Sequence, residues 1–82
     1  MIASLEITLY PLGPDPNDTV QSFIDRLSGY KNLEIETNKL STIITGNYDD
    51  LFEFLNLECK KLFEKSPASF VIKLSNTCGC QL

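Results

Sequence analysis

The chain has 82 residues, 43% of them hydrophobic and 22% charged, which suits one globular domain with a single modest core. Its formal net charge of −4 and its seven dispersed Lys and Arg exclude the basic stripe that nucleic acid requires. No apolar run reaches the roughly 18 residues of a membrane span, and without histidine the chain lacks the commonest general base and metal ligand.

The first predicted strand alternates from Ala3 to Tyr10. Ala3, Leu5, Ile7 and Leu9 fall on one side, and Ser4, Glu6, Thr8 and Tyr10 on the other, the pattern of a sheet with one buried face. Three prolines and a glycine between Pro11 and Pro16 end it. Asn17 or Asp18 is then placed to cap a first helix. Val20, Phe23, Ile24 and Leu27 form its apolar stripe, and Gly29 is expected to close it in a left-handed conformation.

A second strand is predicted over Leu33 to Asn38 and a third over Leu40 to Thr45, joined by a turn at Asn38-Lys39. Asn47 should cap the second helix, with Asp49 and Asp50 at its positive end. Its stripe reads Leu51, Phe52, Leu55, Cys59, Leu62 and Phe63, with Phe54 and Glu58 at the margins. Ser66-Pro67 ends it. In the last strand Phe70, Ile72 and Leu74 alternate with Val71, Lys73 and Ser75, and residues 76–82 are expected to form a flexible tail.

The order β-α-β-β-α-β implies an α+β, ferredoxin-like domain over residues 1–82: a four-stranded antiparallel sheet with two helices on one face. Right-handed crossovers place strands one and four side by side, at or near the centre. The helices should cover Leu5, Ile7, Leu9, Leu33, Ile35, Phe70, Ile72 and Leu74. The opposite face should display Glu6, Thr8, Tyr10, Glu34, Glu36, Asn38, Lys73 and Ser75.

Such a face can simply meet water, and Glu34 and Glu36 suit an edge strand that benefits from charge. Glu6, Thr8 and Tyr10 on a central strand could instead line a ligand site or a subunit interface. Glu6 and Lys73 could also pair across strands. Thr42, between Leu40 and Ile44, should point toward the helices as a satisfied core hydroxyl or a pocket hydroxyl. Cys78-Gly79-Cys80 offers two thiols, half of a tetrahedral soft-metal site. Three cysteines make a disulfide framework improbable and fit a reducing, cytoplasmic setting. No basic-then-apolar opening predicts a secretory leader. No nucleophile and base pair can be named, so an enzyme is not expected.

Three segments carry a family resemblance. Glu6-Ile7-Thr8-Leu9-Tyr10-Pro11-Leu12-Gly13 resembles the opening of the YkoF-like thiamin/hydroxymethylpyrimidine-binding proteins and their single-domain thiamin-binding relatives. Leu40-Ser41-Thr42-Ile43-Ile44-Thr45-Gly46-Asn47-Tyr48-Asp49-Asp50-Leu51-Phe52 is similar to that family's strand-to-helix segment. Ile72-Lys73-Leu74-Ser75-Asn76-Thr77-Cys78 is similar to its closing strand. Thr45 stands where many single-domain relatives carry Glu.

The resemblance implies a ferredoxin-like fold, homo-oligomers (dimer or tetramer) formed through the sheets, and reversible binding of thiamin or hydroxymethylpyrimidine without catalysis and without a further cofactor. Glu6 would then favour the thiazolium cation and Tyr10 would stack on a flat ring. Ser41, Thr42 and Asn76 would satisfy the aminopyrimidine edge, and Thr8 and Asn38 would complete the ligand-binding set. Two other functions stay open: a ligand-free oligomerisation module, and a soft-metal carrier through Cys78 and Cys80.

Overall fold

A computed structural model of the chain describes residues 1–38 and 40–76. The elements are β1 (Ile2–Pro11), α1 (Pro16–Leu27), β2 (Glu34–Thr37), β3 (Thr42–Asn47), α2 (Tyr48–Lys65) and β4 (Ala68–Ser75). The four strands form one antiparallel sheet in the order β2-β3-β1-β4. This is the ferredoxin-like α+β arrangement, in which each crossover helix spans a strand inserted between the two it joins. Strands one and four pair as expected, but the centre belongs to β1 and β3, and β4 is an edge. The crossover through α1 leaves a gap beside β1 that β3 fills, which pushes β4 to the outside.

The core lies between this sheet and the helices. Ala3, Leu5 and Ile7 of β1 and Ile44 of β3 pack against Phe23, Leu27, Leu51, Phe54 and Leu62. Burial of these side chains is the main favourable contribution to so small a fold. Gly46 belongs to this packing, because a Cβ there would sit 2.6 Å from Leu33 Cδ2.

Several local expectations change. The first helix begins at Pro16, whose fixed φ suits an opening turn, and neither Asn17 nor Asp18 caps it. Asp15 occupies the cap position without a side-chain bond, and its carbonyl accepts from the Thr19 amide and hydroxyl at 3.1 and 3.0 Å. Gly29 is not left-handed: its amide and that of Tyr30 donate back to Arg26 and Leu27 in tight turns. Asn47 caps α2 as read, accepting from the Asp49 amide at 3.1 Å.

The third strand starts at Thr42, not Leu40, because Asn38 Oδ1 takes the amides of both Leu40 and Ser41 at 2.9 Å. That side chain builds the turn, as asparagines do. The buried line of α2 is also rotated from the expected stripe. Leu51, Phe54, Glu58 and Leu62 face inward, while Phe52 and Phe63 are exposed. Phe54 takes the centre because its ring meets Tyr30 at 5.0 Å and Phe23 at 6.4 Å, edge to face. In β4, Phe70 is half-buried, but Ile72 and Leu74 are 40% and 45% exposed. An edge strand extends beyond the cover of two helices, so alternation alone does not bury it.

Candidate functional site

The open face of the sheet is ordered by strand register. Ser4 faces Thr45 on one side and Ser75 on the other, Glu6 lies between Ile43 and Lys73, Thr8 faces Val71, and Tyr10 faces Ser69. Because side chains alternate, these residues form rows across the face opposite the helices. Ser4 and Thr45 hydroxyls bond at 2.9 Å. Thr8 donates to the Leu40 carbonyl at 3.5 Å.

Glu6 is the centre of this arrangement. One carboxylate oxygen accepts from the Ser41 hydroxyl at 3.3 Å, and the other lies 3.6 Å from Lys73 Nζ. The side chain is 42% exposed. Both contacts are long, so the charge is held loosely. Tyr10 presents its phenol on the same strand face four residues further along, about 13 Å from Glu6. A shallow hollow of about 310 Å³ lies beside this row, between Glu34, Glu36, Ile43 and Thr45.

The fold thus brings Glu6, Thr8, Ser41 and Tyr10 onto one face, with Asn38 shaping the turn that carries Ser41. It does not bring Thr42 or Asn76 to them. Thr42 is buried on the helix side, in register with Ile7. Asn76 follows Ser75, which pairs with Ser4. That end of the sheet is two strand residues from Glu6 but six, or about 20 Å, from Tyr10. Cys78 and Cys80 lie outside the described residues, as does Lys39 of the expected turn. Among the described residues no three His, Cys, Asp or Glu gather as a metal site, and no helix is long and apolar enough to cross a membrane.

A second polar cluster was not anticipated. Glu58, only 3% exposed, accepts from Arg26 Nε and from the Tyr30 hydroxyl, both at 2.5 Å. Burial alone would raise the Glu58 pKa, but the bonds from Arg26 and Tyr30 outweigh it and hold the carboxyl below its ordinary value. Burial and the bond to Glu58 push Tyr30 up to about 12. The Arg26 pKa is raised by its bond to Glu58 and by that residue's charge. Burial raises the Cys59 thiol, with a further push from Glu58.

Beside this cluster a cleft of about 280 Å³ separates the two helices, with Asp15 and Asp18 on one wall, Lys61 and Lys65 on the other, and Phe23 and Leu62 between. One signal in the sequence pointed here: Glu58 is a charge four residues from both Phe54 and Leu62. Such a charge needs a partner.

The family model described as the YKOF-related family matches residues 2–80. A structure from Streptococcus pneumoniae superposes with a TM-score of 0.87 at 18% identity, covering 100% of this chain and 93% of the other. A Thermotoga maritima protein assigned provisionally to thiamine biosynthesis or salvage gives 0.83 at 11% identity, covering 96% and 87%. A hypothetical protein from Methanocaldococcus jannascii gives 0.77 at 18% identity, covering 95% and 82%. At these identities the likeness establishes the shared fold. No curated protein sequence matches the chain.

Proposed function

The chain belongs to the YKOF-related family, and from that membership we propose that it binds thiamin or its hydroxymethylpyrimidine part reversibly, without catalysis, in cytoplasmic salvage, transport or sensing. The observation that carries this reading is the loosely held carboxylate of Glu6 on a central strand, between the Ser41 hydroxyl and Lys73 Nζ. Thiamin joins a cationic thiazolium to a flat aminopyrimidine. Glu6 supplies the opposite charge and Tyr10, 51% exposed, supplies an aromatic face for the cation or ring. Ser41 and Thr8 supply hydroxyls that can give and accept hydrogen bonds.

The Glu6–Lys73 pair does not block such a ligand. An exposed pair of this length contributes at most about 1 kcal/mol, so a thiazolium can replace the ammonium at little cost. The resting pair keeps the carboxylate from being an uncompensated charge while the site is empty.

Calorimetry and thermal shift with thiamin, and separately with hydroxymethylpyrimidine, test the proposal. At 100 times its dissociation constant the ligand should add about 2.7 kcal/mol of stability, and Glu6→Gln should abolish the gain for thiamin. The absence of heat and of any thermal shift at millimolar thiamin and hydroxymethylpyrimidine would sink it. The proposed working state is a homo-oligomer built through the sheets, a feature shared with the alternative of a ligand-free assembly module. The exposed apolar side chains of β4 favour assembly in either case.

A further inference from the structure

The cleft between the helices is bordered by charges that the fold does not pair. Asp15 and Asp18 stand on its α1 wall, Lys61 and Lys65 on its α2 wall, and Phe23 and Leu62 form an apolar floor between them. Among the described residues the ion pairs are Arg26–Glu58 and Lys73–Glu6, so neither acid reaches either lysine within ion-pair distance. Opposite charges held apart across an apolar floor leave room for a molecule between them.

Helix electrostatics accounts for only part of this set. Asp18 lies in the first turn of α1 and Lys65 in the last turn of α2, where each suits the local dipole. Asp15 and Lys61 are not explained in that way. Asp15 occupies the cap position of α1, yet its carboxylate caps no amide. Lys61 sits a turn inside the end of α2, and its influence on the Glu58 carboxyl is the weakest of those acting there.

The cleft is also preformed. Phe23 is fixed by ring contacts with Phe54 at 6.4 Å and Phe70 at 5.5 Å, and Leu62 is buried. The Arg26–Glu58 bond at 2.5 Å ties α1 to α2 and sets their separation. That pair cancels its own two charges, so the charges left at the cleft are those of the two acids and the two lysines.

We propose that this cleft binds a small zwitterion whose ammonium and carboxylate lie at opposite ends of a short apolar body, as in an ω-amino acid. Charge selects it. A free anion would meet Asp15 and Asp18 in a chain of net charge −4, and a free amine would meet Lys61 and Lys65. A molecule with both charges meets an opposite charge at each end, and its body removes the floor from water. Volume sets the size. A cavity of about 280 Å³ is the share of roughly nine water molecules, which corresponds to a ligand of about nine non-hydrogen atoms. The site shares no residue with the Glu6 face and is independent of the thiamin reading.

Amide-resolved NMR of the full chain, titrated with ε-aminocaproate, tests this. The amides of Asp15, Asp18, Lys61 and Lys65 should shift and saturate with a dissociation constant of about 1 mM, the strength expected of so small a ligand. Caproate and hexylamine each keep one charge and should bind roughly fivefold more weakly. Leucine, an isomer with both charges on one carbon, should also bind more weakly. Lys61→Gln with Lys65→Gln should weaken ε-aminocaproate but not hexylamine, and Asp15→Asn with Asp18→Asn should weaken it but not caproate. All four positions are exposed, so both variants should fold, which circular dichroism checks.

The absence of a saturable shift at roughly ten times that concentration overturns the site. Equal affinity for caproate or hexylamine overturns recognition of both charges, and equal affinity for leucine overturns their separation. Displacement of ε-aminocaproate by thiamin overturns the cleft as a site of its own.

Discussion

Glu58 and Glu6 sit on opposite sides of one sheet and are held in opposite ways. Glu58 is 3% exposed in the helix layer and accepts two bonds of 2.5 Å, from Arg26 and Tyr30. Glu6 is 42% exposed on the open face and has contacts at 3.3 and 3.6 Å. A buried charge must be satisfied completely or the fold loses stability. A half-exposed one can remain partly committed because water supplies the rest. The first glutamate is therefore committed to the structure, and the second is only partly engaged by its neighbours.

The largest test of that contrast is Arg26→Met. It leaves the Glu58 carboxylate in the helix layer with only the Tyr30 hydroxyl and the weaker influence of Lys61, and the melting temperature should fall by on the order of 15 °C. Glu58→Leu should cost much less. Arg26 is 35% exposed and can turn to water, while leucine fills the vacated space. Thermal unfolding of both variants decides it, and a larger loss from Glu58→Leu would break the comparison.

The pH dependence of stability comes next. The folded pKa of Glu58 is depressed below the unfolded carboxylate's usual value, so the unfolded state takes up protons first as pH falls. The contribution of Glu58 is complete above the unfolded value and is lost as pH drops through the lower folded one. Tyr30 acts at the other extreme. Its pKa rises from 10 to about 12, so the unfolded chain gives up its proton first and stability declines between those values. Urea titrations across pH should show both declines, and Tyr30→Phe should remove the alkaline one.

This contrast also separates what could be read in the sequence from what could not. The alternation of β1 was legible because each residue's face follows from its own position. The Asn47 cap was legible because its partner, Asp49, is two residues away. The burial of Glu58 was not, because Arg26 and Tyr30 lie 32 and 28 residues away and only the fold brings them together. Reading α2 by hydropathy therefore placed Phe52 and Phe63 inside and Phe54 at the margin. In β4, alternation gave the face of Ile72 and Leu74 correctly but carried no information about lateral position, so an edge was read as core. Among the proposed ligand residues, Glu6, Thr8, Ser41 and Tyr10 share the open face. Thr42 was recognised as inward-pointing, which sets it apart from them. The distance of Asn76 from Tyr10 depended on the β1–β4 register, which only the structure gives.

Glu6→Gln should separate folding from binding. An exposed pair of this kind contributes at most about 1 kcal/mol, so the melting temperature should move by a few degrees at most. Thiamin binding should be lost in calorimetry, while a neutral pyrimidine fragment should bind nearly as before. Equal loss for both ligands would mean that Glu6 recognises the pyrimidine and not the cation.

Lys73→Met should have the smallest effect on stability and is the most discriminating test of the open face. Its Nζ lies 3.6 Å from Glu6, and its side chain is 78% exposed, so the fold should register a change within about 0.5 kcal/mol. The ligand should register more. The ammonium competes with a thiazolium for the same carboxylate, and one charge near 4 Å in a solvated setting amounts to about 1 kcal/mol. Thiamin should therefore bind roughly fivefold more tightly to Lys73→Met, with the gain shrinking as salt screens the competition. A neutral pyrimidine fragment should show no gain. Weaker thiamin binding would instead mean that Lys73 itself touches the ligand, and Glu6 would then be its positioning partner and not the cation's acceptor.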